Sequence, residues 1–563
     1  MKEYLARELI AALADFEGVP QDFVPEFEKP KNPEHGDLAT NAAMQLARYL
    51  RRAPRSIAEE LADRLLARPL DATRIASVEA AGSGFINFRF STEYLVSELR
   101  ALLEAGESFG RSTTGRGKRA LVEYVSANPT GPLTVGHGRN AVLGDTVANL
   151  LAWNGYDVTR EYYFNDAGRQ MRVLGESVQA RYQAIVDPET PRKQIDAGGV
   201  SMEVPASFPE DGYLGAYITD IAERLHARAE DAPDMAGDVA PFKKAAEEAI
   251  FADIAHTLTR LGIHMDTYFN ERSLYENDAV WRTLERLREQ GHCYDRDGAV
   301  WFRTTAFGKE QDTVLVKSSG EPTYRLPDIA YHADKCERGF ERIVDILGAD
   351  HIATYPDVLH GLRALGYDAD RVEVIVHQFV TLVRGGAPVK MSTRRATYVT
   401  LDDLMDEVGE DVTRFFFLMR SPNAHLEFDL DLAKEASEKN PVFYLQYAHA
   451  RICSILRKAE EVGFHGGADA DLSLLGHPAE IALMKALLRL PEVLEYAATM
   501  REPHQVANFL REVAVAFTQF YGHCRIIGEE NDLAAARMQL ARAARIVLAN
   551  GLHVLGISSP ERM

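Results

Sequence analysis

Cysteine is scarce in this chain. Its four residues of that type, Cys293, Cys336, Cys453 and Cys524, are scattered among 563 positions without the paired spacing of a zinc site or a disulfide framework. No metal site and no organic cofactor are therefore expected, and a reducing cytoplasm fits best. Long apolar runs are also missing. No stretch of eighteen or more uncharged apolar residues occurs, so no membrane partner is expected. The opening segment MKEYLARELIAALADFEG carries acids where a signal peptide would be apolar, and no targeting signal is visible. Positive charge is in deficit, with 63 Lys and Arg against 84 Asp and Glu and a net charge of −21. Taken alone, that deficit argues against a nucleic-acid partner, because phosphate binding runs on Lys and Arg. It does not say where the basic residues lie, so local clusters decide the matter. Short-period repeats and coiled-coil heptads are absent as well.

What is present is ordinary globular composition, 46% hydrophobic and 26% charged. At roughly 100–200 residues per domain the chain divides into three or four units. Residues 1–108 read as a small α+β module, with helical periodicity in LATNAAMQLARYLRR and SIAEELADRLLARPL and a strand at FINFRF. The stretch GESFGRSTTGRGKRA reads as a linker. Residues 109–425 alternate strands and helices. RALVEYV is a buried strand; GRNAVLGDTVANLLAWNG places Leu143, Val147, Leu150 and Leu151 on one helix face; YDVTREYYF returns as a strand. That order is a βαβ unit and predicts a Rossmann-like parallel sheet. A helical, irregular insertion is expected at about 172–270, with strands resuming at DTVLVKS, ERIVDILGADH and RVEVIVHQFVTLV. Residues 426–563 read as an all-α bundle of four successive amphipathic segments.

The segment NPTGPLTVGHGRN, residues 128–140, joins the first strand to its helix. A helix N-terminus presents free N–H groups and a partial positive charge, so it attracts phosphate. Gly136 and Gly138 admit a ligand to the backbone, His137 adds a donor, and Arg139 adds a positive charge. GHGRNA also satisfies the G-x-G-x-x-G/A dinucleotide pattern, with Asp157 and Glu161 about twenty residues on, so a nicotinamide-dependent oxidoreductase is the first alternative. In that pattern the first glycine follows the strand almost at once, whereas SANPTGPLTV intervenes here. The other reading takes Thr134-Val135-Gly136-His137 as a variant of the His-x-Gly-His signature of class I aminoacyl-tRNA synthetases. VKMSTRR, residues 389–395, resembles the second half of that signature, the Lys-Met-Ser-Lys-Ser loop. His137 and Lys390 lie 253 residues apart, which suits two halves of one nucleotide fold. When a carboxylate attacks the α-phosphate of ATP, charge builds on the leaving pyrophosphate, and a loop carrying Lys390, Met391, Ser392 and Arg394 can neutralise it.

VEYVSANPTGPLTVGHGRNAVLGD, EYYFNDAGRQM, VKSSGEPTYRLPDIAYH, NPVFYLQYAHARICSIL and GLHVLGISSPERM together resemble the bacterial-type arginyl-tRNA synthetases, as do NPEHGDLATNAAMQLA and GSGFINF near the N-terminus. The resemblance implies an ATP-dependent ligase that joins L-arginine to tRNA(Arg) through an arginyl-adenylate, with Mg2+ accompanying ATP and a monomeric, cytoplasmic enzyme. It implies His137, Thr134, Lys390 and Arg394 as catalytic residues, and Gly136, His137, Gly138, Lys390, Met391, Ser392, Gly348 and Asp350 as ATP contacts, with His351 beside them. A guanidinium calls for planar, bidentate acceptors, which Glu123 and Asp328 supply, with Tyr324 one helical turn from Asp328. Ser126 and Asn128 would hold the substrate's amino or carboxylate end. Asp328 as an ordinary first-turn acid after Pro327 is the alternative. Thr134 replaces the family's first histidine and Thr393 its second loop lysine, for which Arg394 or Arg395 is the candidate substitute.

The family's N-terminal domain reads the D-loop of tRNA and its C-terminal bundle the anticodon. Asn87 and Phe88 would be contacts for the first, and Tyr447, Tyr521 and Met563 for the second, since unpaired bases stack on aromatic and apolar groups. Tyr447 as plain bundle core competes with that role. Local positive charge exists for such a partner in Arg48, Arg51, Arg52 and Arg55 and again in residues 384–395. A non-catalytic tRNA-binding protein that has kept the fold is the second alternative.

Overall fold

The computed structural model describes all residues except 31, 69, 167, 197–200, 229–236, 390–398, 465, 466 and 468. Its centre is a five-stranded sheet of β1 (Arg119–Glu123), β2 (Asp157–Phe164), β3 (Thr267–Asn270), β4 (Arg342–Gly348) and β5 (Val372–His377). The spatial order is β5-β4-β1-β2-β3 and every neighbouring pair is parallel. The order reverses between β1 and β4, so a crevice opens beyond their carboxyl ends, where doubly wound sheets bind ligands.

Alternation along β1 divides the core. Ala120 and Val122 join the large cluster under the Val135–Trp153 helix, while Leu121 joins the cluster under the Arg325–Glu337 helix. Gly144 lets the first of those helices lie directly on Tyr124, whose ring would collide with any added Cβ. The second helix covers a row of acids. Parallel register sets Glu123 between Glu161 on β2 and Asp345 on β4.

Several boundaries differ from expectation. RALVEYV ends as a strand at Glu123, because Val125 and Ser126 turn left-handed at φ 66° and 40°. DTVLVKS does not enter the parallel sheet; Thr313–Val316 pairs within a separate antiparallel sheet with Cys293–Arg296 and Ala299–Phe302. RVEVIVHQFVTLV is two strands, β5 and Val380–Arg384, the latter paired with Ala387–Pro388 and Leu426–Asp429. The insertion holds helices Arg169–Val186, Ala216–Ala227 and Ala240–Arg260 and a hairpin, Arg192–Asp196 with Ser201–Pro205. Its last residues are not insertion but β3, because a parallel pair needs a long crossover and this segment is the crossover from β2.

At the N-terminus, helices Lys2–Leu13, Ala42–Leu50 and Pro54–Ala67 pack on a four-stranded antiparallel sheet. Leu38–Thr40, expected as helix, is a strand of that sheet, and the helix starts only after Asn41. The Thr92–Ala105 helix leaves this module and buries Leu95, Leu99 and Leu102 in the large core with the C-terminal helices. Those are Pro441–Glu461, Pro478–Leu487, Leu490–Met500, His504–His523 and Asn531–Val554. The second expected segment is two helices, since Pro491 suits only a first turn.

Candidate active site

The crevice is built outward from the break after Glu123. The Ser126 hydroxyl donates to Glu123 Oε1 at 2.8 Å and accepts from the Tyr163 N–H at 3.1 Å. The Val125 N–H donates to Asn140 Oδ1 at 2.6 Å, and Asn140 Nδ2 donates to the Ile346 carbonyl at 2.8 Å. One helical side chain thus stitches the ends of β1 and β4 together. Left-handed Val is a strained conformation held by its surroundings, a state that clusters at functional sites.

Farther along, the Thr134 N–H donates to His137 Nδ1 at 3.1 Å. An Nδ1 that accepts leaves the proton on Nε2, and burial lowers the imidazole's pKa, so His137 is a neutral Nε2–H donor at the mouth of the helix. Gly136 is exposed there and Gly138 buried. Thr134 also pairs antiparallel with Thr400, and the Leu401 N–H donates to the Leu133 carbonyl at 2.8 Å. Lys390, Met391, Ser392, Thr393, Arg394 and Arg395 lie outside the described residues. The chain leaving that segment is nevertheless bonded to the His137 loop, and the chain entering it is the Val380–Arg384/Ala387–Pro388 hairpin.

Arg139 does not serve a phosphate. It is fully buried and donates to the carbonyls of Gln378 at 2.6 Å and of Ser421 and Ala424 at 3.0 Å. His377, 3.3 Å from Asn140, is held neutral by burial, which pushes its pKa down to about 4.

The acid row meets a basic row on the Arg325–Glu337 helix. Lys335 Nζ, itself fully buried, donates to Glu123 Oε2 at 2.5 Å and Asp345 Oδ1 at 2.7 Å; Arg338 holds both Glu161 oxygens at 2.6 and 2.8 Å. His332 Nε2 lies 2.9 Å from Asp345 Oδ2. Burial opposes both charges of the Lys335–Asp345 pair, yet their attraction more than offsets it, raising the ammonium's pKa and lowering the carboxyl's. Glu123, His332 and Asp345 offer three metal-ligating atoms within 4.8 Å of one another, but the Lys335 ammonium already bridges the two carboxylates.

Asp328 is different. Its carboxylate accepts no hydrogen bond from any described residue, and burial, opposed by His332 and reinforced by Glu123 and Glu271, pushes its pKa up to about 7. Glu271 nearby accepts from the Tyr163 hydroxyl at 2.9 Å, and burial raises its pKa too. Tyr324 is 77% exposed at the head of the helix, its carbonyl accepting from the Asp328 N–H. Asn128 is exposed and donates to Gln170 at 2.9 Å. Gly348 ends β4, with exposed Asp350 and His351 just beyond it. Asp166 is buried and ion-paired with Arg272.

Sequence reasoning missed Lys335, His332 and Asp345. Two signals were available: Asp328, His332 and Lys335 fall at i, i+4 and i+7 on one helix face, and Asp345 interrupts an otherwise apolar strand.

Two expected nucleic-acid contacts fare differently. The Phe88 ring is fully buried, 6.1 Å from Phe27, and its carbonyl accepts from the Asp37 N–H, so Phe88 is core and offers a ligand neither ring nor carbonyl. Asn87 is 8% exposed. Tyr447, Tyr521 and Met563 instead line one groove of about 890 Å³ with Arg451, Arg457 and Arg525. The Arg451 guanidinium bonds the Tyr447 hydroxyl at 2.9 Å and lies 4.6 Å over the Tyr521 ring.

Comparison with known proteins places these features in context. Three family profiles match: the arginyl tRNA synthetase N terminal domain over residues 2–90, the class I tRNA synthetase (R) catalytic domain over 98–421, and the DALR anticodon binding domain over 445–563. The arginine–tRNA ligase of Salinibacter ruber is 63% identical over 565 aligned residues, covering all of both chains. That of Desulfotalea psychrophila is 49% identical over 95% of this chain and 94% of its own. The structure of Thermus thermophilus arginyl-tRNA synthetase superposes with a TM-score of 0.77 at 23% identity, covering both chains fully, a likeness of fold.

Proposed function

The chain belongs to the class I arginyl-tRNA synthetases, and from that premise we propose which of its residues carry the reaction. The protein is an arginine–tRNA ligase: it converts ATP, L-arginine and tRNA(Arg) to arginyl-tRNA(Arg), AMP and diphosphate. In the first step the arginine carboxylate, already ionised, attacks the α-phosphate of ATP and pyrophosphate leaves. In the second a ribose hydroxyl at the 3′ end of the tRNA attacks the acyl carbon and AMP leaves.

His137 Nε2–H and the helix N-terminus at Gly136 and Gly138 receive the triphosphate, with Thr134 donating its hydroxyl beside them. Lys390, with Met391, Ser392 and Arg394, closes on the leaving pyrophosphate from the opposite side, where neutralising developing charge lowers the barrier. Mg2+ enters with ATP. Gly348 and Asp350 contact the nucleotide at the end of β4. The guanidinium is received by Asp328, with Glu123 aimed by Ser126 and Lys335 and with Tyr324 at the rim. Asn128 and Ser126 hold the amino acid's main-chain end. The Tyr447–Tyr521–Met563 groove reads anticodon bases by stacking, and Asn87 marks the D-loop side. The chain acts as a cytoplasmic monomer in three parts, 1–108, 109–425 and 426–563, with the Thr92–Ala105 helix linking the first to the third.

The observation that carries this reading is the pairing of Thr134 with Thr400, which brings the chain that follows residues 390–398 onto the His137 loop. Amino-acid-dependent ATP–pyrophosphate exchange, run with each of the twenty amino acids and total tRNA, tests it. Exchange confined to arginine is expected, and dependence on added tRNA with it; exchange with another amino acid, or none, would refute the reading.

A further inference from the structure

The loop from Ala127 to Thr134 contains Pro129 and Pro132, which have no N–H, so ladder pairing cannot fix its shape. Its carbonyls are held from outside instead, by three separate elements. The Tyr162 hydroxyl on β2 donates to the Ala127 carbonyl at 2.8 Å, and the Leu401 N–H holds the Leu133 carbonyl at the other end. Midway, the Tyr217 hydroxyl donates to the Thr130 carbonyl at 2.6 Å.

Tyr217 lies in the first turn of the Ala216–Ala227 helix of the insertion, a segment that carries none of the substrate-binding residues assigned above. Its ring lies flush on the loop: a Cβ at Gly131 would come within 2.9 Å of the hydroxyl oxygen and 3.1 Å of the ring carbon bearing it. The insertion therefore grips the loop halfway between Ser126, which faces the arginine pocket, and His137, which faces the triphosphate.

We propose that Tyr217 is a positioning residue for ATP, through which the insertion sets the phosphate-binding loop. The proposal rests on reading His137 as part of the ATP seat. Without the hydroxyl, the middle of the loop loses its anchor while its first residues stay tied by Tyr162 and Asn140. Displacement then falls on Pro132–His137, ahead of the triphosphate. The arginine pocket is spared, because Glu123 is fixed by Lys335, Asp328 by its helix, and Asn128 by Gln170 and by the Tyr162 bond to its neighbour Ala127. A purely structural hydroxyl would not separate the two substrates in this way.

The test is Tyr217→Phe in the full chain. ATP affinity is measured by calorimetric titration of ATP into the free enzyme, and ATP and arginine KM by pyrophosphate exchange. One lost positioning hydrogen bond predicts ATP Kd and KM raised about three- to tenfold. Arginine KM should stay within about twofold and Tm within about 2 °C, as expected for one part-buried bond. Unchanged ATP affinity overturns the proposal. So does a parallel rise in both KM values, or loss of folded protein, since either makes the hydroxyl a support of the fold. Should the unmodified enzyme bind ATP yet show no arginine-dependent exchange, the family reaction fails while the titration still decides the role of Tyr217.

Discussion

Asp328 is a carboxylate that accepts no hydrogen bond from a described residue and lies among acids. Its pKa of about 7 reflects burial first, then Glu123 and Glu271 against His332 and Lys335. A guanidinium placed against it would favour the ionised form, so arginine binds the deprotonated site. With a pKa near 7, roughly a tenth of the sites are ionised at pH 6 and roughly nine-tenths at pH 8. Arginine KM is therefore expected to be about tenfold higher at pH 6 than at pH 8; a flat profile over that interval would contradict the assignment. The effect on stability has the opposite sign. The folded value lies above the ordinary 3.8, so the folded state holds this proton more tightly and stability is lost as pH rises from about 4 through about 7. Asp328→Asn is expected to raise Tm at pH 8 by a few degrees, from about 1–2 kcal/mol of relieved strain, while abolishing arginine-dependent exchange. A lower Tm would mean that the carboxylate has a structural partner.

The elements repeat this contrast between what is local and what is not. The Val135–Trp153 helix and strands β1, β2, β4 and β5 were legible because apolar spacing encodes them within ten or twenty residues. The two signature loops were legible because each follows a strand. Other features depended on distant chain. Lys335 finds Glu123 across 212 residues of sequence, and Arg139 reads only as a positive charge in the loop until the carbonyls of Gln378, Ser421 and Ala424 are seen around it. Phe88 reads as a contact residue until its ring is found in the core of the N-terminal module, among leucines of its helices. For the pyrophosphate-neutralising role proposed for 389–395, Lys390→Ala is expected to lower the rate of pyrophosphate exchange by about 10²-fold or more, with arginine KM changed less than about threefold. Equal rates in both proteins would remove Lys390 from the transition state.

At the scale of the whole molecule, Arg414 joins the catalytic part to the helical bundle. Arg414 is buried and donates to Asp145 Oδ2 at 2.5 Å, to the Leu261 carbonyl at 2.7 Å and to the Leu555 carbonyl at 3.0 Å. It thereby ties the helix headed by His137 to the end of the insertion and to the last helix of the bundle. Beyond Leu555 the chain is tied on through Ser558 to Asp411 and through the Pro560 carbonyl to His449, and ends in the tyrosine-lined groove. Arg414→Met would leave Asp145 buried without this partner, a loss of about 3–5 kcal/mol that urea unfolding would register; a loss under about 1 kcal/mol would show that the junction is not held there. As proposed above, His137 and Lys390 meet on one triphosphate at the carboxyl end of β1 and β4. A crystal structure of the full chain with arginine and a non-hydrolysable ATP analogue measures it directly. His137 Nε2 and Lys390 Nζ are both expected within about 4 Å of phosphate oxygens, and the guanidinium on Asp328. Side chains opening onto separate surfaces, with the nucleotide touching only one of them, would contradict it.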